Sequence, residues 1–209
     1  MLLETAMPQP VDALLAAGAV LEAEAKEGWR PLHQAAAGGQ ASIVETLLTA
    51  GAALEAETQE GWRPLSLAAD SGHASTVEAL MAAGAALEAQ DTPGWRARHH
   101  AAESGHASTV ETLLAAGAAL EAEGADGWRA LHCAAAAGHV TVLETLIAAG
   151  ADVAAATESG ESPLQLADSG GHSGAAEFLL AAGGGSCRAA GGRFAWLRKA
   201  ATWLRWGAS

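Results

Sequence analysis

Histidine and cysteine are the residues of this 209-residue chain whose chemistry could bind a metal ion. Four of the eight histidines recur every 33 residues, each directly after a glycine: His73, His106, His139 and His172. If each ring belongs to its own packed helix pair, neighbouring rings lie about 8–10 Å apart, whereas zinc holds its ligands at about 2 Å. His99 and His100 are adjacent, and adjacent side chains on a helix do not face each other. We therefore predict no metal site.

Nucleophilic catalysis has no better support in the sequence. Cys133 follows His132, but two successive helical residues point in different directions and no third group orients the pair. No GxSxG motif occurs, and the glycines recur after predicted helix ends instead of forming a phosphate-binding loop. Cys133 and Cys187 are too few for a disulfide framework and form no CxxC motif. We predict no catalytic residue, no cofactor and no enzyme activity.

Composition and charge narrow the class of partner. Half of the residues are apolar, which is enough for a folded core, and no apolar run approaches the roughly 20 residues of a membrane span. Residues 1–186 contain all 24 acidic and six of the 11 basic residues, a net charge of −18 that repels nucleic acid.

The first residues lack a basic stretch before an apolar one, so we expect a cytoplasmic, non-secreted protein. We also expect a monomer.

A 33-residue period organises the chain. Four close copies, each beginning with Gly-Trp-Arg, occupy residues 28–60, 61–93, 94–126 and 127–159, and a weaker copy occupies 160–192. Residues 1–27 repeat only the second half of the unit, so we predict an N-terminal half repeat there. Residues 193–209 form a separate tail.

Each copy reads as two short helices followed by an extended finger. Pro31 and Pro64 suit the first turn of a helix, because a missing N–H is tolerated there. After a glycine, an SxxE or TxxE sequence such as Ser42 to Glu45 predicts a capping box that begins the second helix. A further glycine, such as Gly51, is suited to end that helix. One such pair has too little apolar surface to fold alone, so neighbouring pairs must stack.

The chain resembles the ankyrin repeat family over about residues 11–185. The resemblance rests on the sequence GWRPLHQAAAGG, on the Gly-His pairs and on LLxAGA at the helix ends, all repeated with a period of 33. It implies an all-α solenoid of stacked antiparallel helix pairs with finger loops. It also implies that the histidine after each inter-helix glycine bonds to backbone groups between repeats, and that the protein binds other proteins.

Two sets of residues match positions that face ligand in that family. At the finger tips stand Trp29, Trp62, Trp95 and Trp128, which together could offer roughly 600–1,000 Å² of contact area. Alternatively, each indole lies on its own scaffold or on a neighbouring arginine, or it was simply copied by duplication. On the concave side of the first helices, otherwise similar copies vary at Gln34, Leu67, Asp70, His100, Glu103 and Cys133. Both partner contact and neutral drift would produce such variation.

Arginine replaces the capping threonine of the family pattern in four copies, at Arg30, Arg63, Arg96 and Arg129. Because losing such a cap costs about 1 kcal/mol, we expect each arginine to reach the acidic fingers, for example Glu22 and Glu24. Arg98 replaces a core leucine. We expect its side chain to extend out to solvent or to pair with Glu103 or Asp70.

The tail at 193–206, RFAWLRKAATWLRW, predicts a basic amphipathic helix. Its apolar side includes Phe194, Trp196, Leu197, Trp203 and Leu204. Such a helix could cap the last repeat, bind an anionic membrane surface or a partner groove, or stay disordered. Two functions follow as hypotheses: a non-catalytic protein-interaction scaffold whose partner is basic or mixed in charge, or an adaptor that this tail tethers to a membrane.

Overall fold

A computed structural model describes residues 20–183, and these residues form a stack of helix pairs without β-strands. The first helices of successive pairs are α1 (Pro31–Ala37), α3 (Pro64–Asp70), α5 (Ala97–Glu103), α7 (Ala130–Ala137) and α9 (Pro163–Ser169). The second helices are α2 (Ala41–Thr49), α4 (Ala74–Ala82), α6 (Ala107–Ala115), α8 (Val140–Ala148) and α10 (Ser173–Gly183). The expected all-α solenoid is confirmed.

Alanine makes the close stacking possible. Each inner helix packs against the inner helix before it and the one after it, and the outer helices do the same in their own row. Ala35, Ala36, Ala68 and Ala69 are buried where the inner helices meet, since their small side chains let the backbones approach. The outer row supplies larger groups such as Val44, which is also buried. No helix pair therefore has a core of its own.

The Gly-His turn between the two helices joins neighbouring repeats. Gly39 has φ +69°, which favours glycine, and a Cβ there would lie 2.6 Å from Nδ1 of His73 in the next repeat. Nε2 of His73 is 3.1 Å from the carbonyl oxygen of Ala37. The same glycine-on-histidine contact recurs at Gly72, Gly105 and Gly138. His73 thus makes the inter-repeat backbone contact that the family resemblance implied, and His106, His139 and His172 pack against the glycine of the preceding repeat.

The capping-box prediction for the outer helices is wrong. α2 begins at Ala41 with Gln40 as its N-cap, so Ser42 lies inside the first turn instead of before it. The equivalent N-cap position is held by a histidine in the next three repeats: His73, His106 and His139. Neither Gln40 nor any of these histidines makes a side-chain cap hydrogen bond. The reason is the short turn after the inner helix: only one residue separates the inter-helix glycine from the start of the outer helix, so the serine or threonine already lies inside the first turn.

Candidate functional site

The finger between two repeats is a tight hairpin that ends at a tryptophan. In the second finger, the backbone N–H of Thr58 donates to the carbonyl oxygen of Trp62 at 2.9 Å. The N–H of Trp62 donates in return to the Thr58 hydroxyl at 3.1 Å. Asp91 and Trp95 repeat this pair of bonds in the next finger, where the Asp91 carboxylate is the acceptor at 2.7 Å. These bonds fix the direction in which each tryptophan leaves the finger.

Backbone hydrogen bonds also connect the finger tips to each other. The N–H of Gln59 donates to the carbonyl oxygen of Glu27 at 3.0 Å, and the N–H of Thr92 donates to that of Glu60 at 3.3 Å. Further along, the N–H of Glu158 donates to Asp126 at 2.9 Å. These bonds join the first three tips to one another and the fourth tip to the fifth, and the stacked rings of Trp95 and Trp128 make the contact between the third and the fourth.

The finger stems carry the ion pairs expected from the arginine substitutions. Arg30 contacts Glu22 and Glu24, both at 2.9 Å, and Arg129 contacts Glu121 at 2.6 Å and Glu123 at 3.0 Å. Arg63 pairs with two glutamates of its own stem in the same way, and Arg96 pairs with one. The expectation that these arginines reach the acidic fingers is confirmed.

One glutamate of each stem also joins two repeats. The carboxylate of Glu22 accepts the backbone N–H of Ala53 at 2.8 Å while it pairs with Arg30. The equivalent bonds run from Ala86 to Glu55, from Ala119 to Glu88 and from Asp152 to Glu121, at 2.8–3.0 Å. Each arginine therefore orients a carboxylate that bonds to the following repeat.

A histidine in three of the first helices replaces part of the lost cap. His33 accepts the N–H of Arg30 on Nδ1 at 3.0 Å, and its Nε2 donates to the carbonyl oxygen of Ala56 at 2.9 Å. His99 and His132 make the same two contacts in their own repeats. Burial lowers the pKa of all three rings, that of His99 to about 3. These contacts therefore belong to neutral rings with the proton on Nε2.

Arg98 is buried, not extended to solvent, and only 1% of its surface is exposed. Its Nη1 contacts both carboxylate oxygens of Glu88 at 2.9 and 3.2 Å, and Nη2 donates to the carbonyl oxygen of Ala122 at 3.4 Å. Glu88 is the partner, so the expectation of Glu103 or Asp70 is wrong. The finger folds back over the inner helix and brings Glu88 to a side chain ten residues further along the chain.

The four finger tryptophans are half-buried, and Trp62, Trp95 and Trp128 pack against neighbouring rings. The rings of Trp95 and Trp128 stack at 6.3 Å between centroids. His100 lies between Trp62 and Trp95, at 4.1 and 5.5 Å from their ring centroids. Its Nε2 is 2.7 Å from the buried carboxylate of Asp91. Indole and imidazole side chains thus fill the second and third gaps along the tryptophan row.

The first gap along this row is open. A cleft of about 300 Å³ lies between Trp29 and Trp62, with Leu67 at the position that His100 fills one repeat later. Its remaining lining includes three acidic residues, Glu27, Glu60 and Asp70. The cleft combines two aromatic walls, an aliphatic side chain and carboxylates.

The concave positions differ in their exposure. Gln34 and Glu103 are exposed and Asp70 is half-exposed, so these three side chains are available to a partner. Leu67, His100 and Cys133 are 7%, 5% and 1% exposed; His100 and Cys133 are covered by packed groups, and the small exposed part of Leu67 lines the open cleft. Burial also raises the pKa of the Cys133 thiol, which therefore stays protonated and is a poor nucleophile.

Sequence reasoning missed Glu27, Glu60 and Asp91. The first two lie at the finger tip directly before Gly-Trp, where acidic residues recur in register, and that recurrence was the available signal. Asp91 takes the place of Thr58 in the hairpin, but its bond to His100 could not be recognised before the finger and helix were placed together.

Residues 20–183 contain neither a cluster of metal-ligating side chains nor a helix that could span a membrane. No group of three or more histidine, cysteine, aspartate or glutamate side chains there could hold a metal ion. No helix in this part of the chain is long and apolar enough to span a membrane. Five sequence-predicted residues lie outside the described part: Phe194, Trp196, Leu197, Trp203 and Leu204.

Comparison with known proteins identifies the repeat. A family model described as ankyrin repeats in three copies matches residues 4–91, 77–157 and 98–189. No curated protein matches the chain. These matches overlap to cover residues 4–189, which include every helix described above, and the chain therefore belongs to the ankyrin repeat family.

Proposed function

We propose that this protein is a non-catalytic scaffold that holds a partner protein against its finger tips and inner helices. Ankyrin repeats are generally protein–protein interaction modules. The observation that carries the proposal is the set of finger tips joined by backbone hydrogen bonds, together with the exposed side chains of Gln34 and Glu103 on the inner helices. Such a surface is fixed before binding, so little ordering free energy is lost when a partner binds.

Charge favours a basic partner. Residues 1–186 carry a net charge of −18, and a field of one sign attracts proteins of the opposite sign and speeds their encounter. The arginines of the finger stems already neutralise many of the stem glutamates. The carboxylates at the finger tips and on the inner helices are therefore the ones available to a partner.

The test is selection of peptides from a displayed random library on the immobilised full chain, followed by measurement of their affinity. We expect Glu103→Arg, on an inner helix, to weaken the selected peptides at least tenfold. Glu144→Arg is the matched control, because Glu144 is exposed on the outer helix α8 and the charge change is identical. Unchanged binding by Glu103→Arg together with loss in Glu144→Arg would place the binding surface on the other side of the stack and overturn the proposal.

A second function is suggested by the tail alone. Residues 187–209 contain five basic residues and no acidic residue, and the spacing of apolar residues at 193–206 is that of a surface-binding helix. In this proposal the tail brings the repeat scaffold to an anionic membrane. Co-sedimentation with phosphatidylserine vesicles should then be seen for the full chain and lost in a chain that ends at residue 186. Binding that survives this truncation would exclude the tail as the anchor.

A further inference from the structure

We infer that the cleft between Trp29 and Trp62 binds a lysine or arginine side chain of the partner protein. The inference rests on the proposed scaffold function and adds the chemistry of one anchoring contact. The cleft is the open member of a series of gaps along the tryptophan row, and the chain itself fills the later ones with aromatic rings.

The filled gaps show what kind of group fits between two finger tryptophans. One repeat further on, His100 occupies the gap between Trp62 and Trp95, with its Nε2 held by the Asp91 carboxylate at 2.7 Å. A nitrogen-bearing, flat group against indoles with a carboxylate partner is therefore already present in this protein. In the first gap Leu67 replaces the histidine and Thr58 replaces the aspartate, which leaves about 300 Å³ of space.

The walls of the cleft suit the stem and the head of a basic side chain. Leu67 and the indole faces can cover the methylene groups of lysine or arginine. A cation within about 6 Å of an indole centroid is attracted to the ring. An apolar side chain would pack against Leu67 and the indole faces but would carry no charge for the rings to attract.

The carboxylates around the cleft are available for such a cation. Glu60 and Asp70 make no ion pair within residues 20–183, in contrast to the stem glutamates that arginine neutralises. Asp70 accepts a hydrogen bond from the Ser104 hydroxyl at 2.8 Å on one oxygen, which leaves the other oxygen for a ligand. Within residues 20–183 the Glu27 carboxylate forms an ion pair only with Lys26, at 3.6 Å, and the Lys26 side chain is 92% exposed. Among the described residues, the carboxylates around the cleft therefore have no buried cationic partner, and their negative charge is available to a ligand.

The test uses the ¹⁵N-labelled full chain and follows its indole N–H signals by NMR, assigned with single Trp→Phe variants. The probes are the capped tripeptides Gly-Lys-Gly and Gly-Arg-Gly. A capped Gly-norleucine-Gly peptide keeps the lysine stem without its charge. We expect the signals of Trp29 and Trp62 to shift saturably at about millimolar concentrations of the basic peptides, with shifts at least fivefold smaller for norleucine.

Two variants separate the cleft from the general acidity of the protein. Leu67→His introduces the residue that fills the next gap, and Glu60→Gln with Asp70→Asn removes two carboxylates; each should reduce the shifts at least fivefold. Glu45→Gln with Glu144→Gln removes the same charge from exposed positions on outer helices and should leave the shifts unchanged. Dispersed spectra of every variant establish that it is folded.

If the norleucine peptide shifted the Trp29 and Trp62 signals as much as the basic peptides do, the cleft would be an apolar site. If Glu45→Gln with Glu144→Gln reduced the shifts as much as Glu60→Gln with Asp70→Asn does, the attraction would be nonspecific. Either result overturns the inference. Neither affects the scaffold proposal, since library peptides would still depend on Glu103, one repeat beyond Asp70 along the inner helices. Loss of that dependence would contradict the scaffold while leaving the cleft shifts in place.

Discussion

At the scale of single residues, a histidine ring takes the helix-capping role in three repeats: His33, His99 and His132. Unlike a capping hydroxyl, an imidazole ring can be protonated near neutral pH. Each ring accepts a backbone N–H on Nδ1 and donates from Nε2 to a finger carbonyl. A second proton would remove the acceptor on Nδ1 and place a charge in a buried site. The repeat interfaces are therefore sensitive to pH through these three residues.

This sensitivity has a defined direction. Burial lowers the pKa of His99 to about 3, whereas in the unfolded chain it is about 6.5. The contribution of His99 is complete above pH 6.5 and is lost as the pH falls from there towards 3, because only the unfolded state then binds the proton. We expect unfolding in urea to show a loss of about 2 kcal/mol from His99 between pH 7.5 and pH 5.

The control for this prediction comes from the chain itself. Gln165 occupies the same position in the last repeat and accepts the N–H of Ser162 at 2.9 Å without titrating. His99→Gln should therefore lose less stability between pH 7.5 and pH 5 than the wild type does. An identical loss in both proteins would show that His99 does not bind its proton in this way.

Arg98 is a buried charge where Leu32, Leu65 and Leu131 stand in other repeats. Its Nε is buried without a partner, so part of its desolvation is not compensated. We expect Arg98→Leu to raise the free energy of unfolding by about 1–3 kcal/mol, and the melting temperature by several degrees. Glu88 would not be left unpaired, because it keeps Arg96 at 2.9 Å and the N–H of Ala119.

The comparison variant for Arg98 is Glu88→Gln. It leaves the guanidinium buried with a weaker partner, so thermal unfolding should occur at a lower temperature than in the wild type. If Arg98→Leu instead lowers the melting temperature, the guanidinium must stabilise the third repeat through its contacts with Glu88 and Ala122.

At the scale of elements, the finger stem joins each repeat to the next through an arginine and a glutamate. Arg129 pairs with Glu121, which also accepts the N–H of Asp152. We expect Arg129→Ala to destabilise the protein in chemical denaturation by about 1 kcal/mol, since the pair is partly exposed. The effect should decrease in 1 M NaCl because salt screens the pair.

Lys26→Ala is the matched control for that prediction. It removes the same charge from a side chain that is 92% exposed and 3.6 Å from its partner, Glu27. Its effect on stability should be close to zero. Equal destabilisation by the two variants would mean that total charge matters and that the inter-repeat contact through Glu121 does not.

The helices and the repeat were predictable because their signals are local. Proline in the first turn, a glycine after each helix and the spacing of Val44 and Leu47 depend on near neighbours in the chain. The partner of Arg98 was not predictable, since a folded finger brings Glu88 to it. The open cleft was not predictable either, because it depends on whether Leu67 or a larger ring lies between two tryptophans from different repeats.

At the scale of the whole molecule, the stack is a linear structure in which helices contact their neighbours along two rows. Stability in such a protein is approximately the sum of the repeats and of the interfaces between them. The same contacts that stabilise the stack place the finger tips side by side. Folding of the repeats and formation of the binding surface are therefore one process.

Hydrogen exchange on the full chain, free and saturated with a library-selected peptide, locates the surface on which the partner is held. Binding at the finger tips and inner helices should slow exchange in the finger hairpins around residues 58–62, 91–95 and 124–128 and in the inner helices, with the outer helices unchanged. Slower exchange confined to the outer helices α2, α4, α6 and α8 would contradict it.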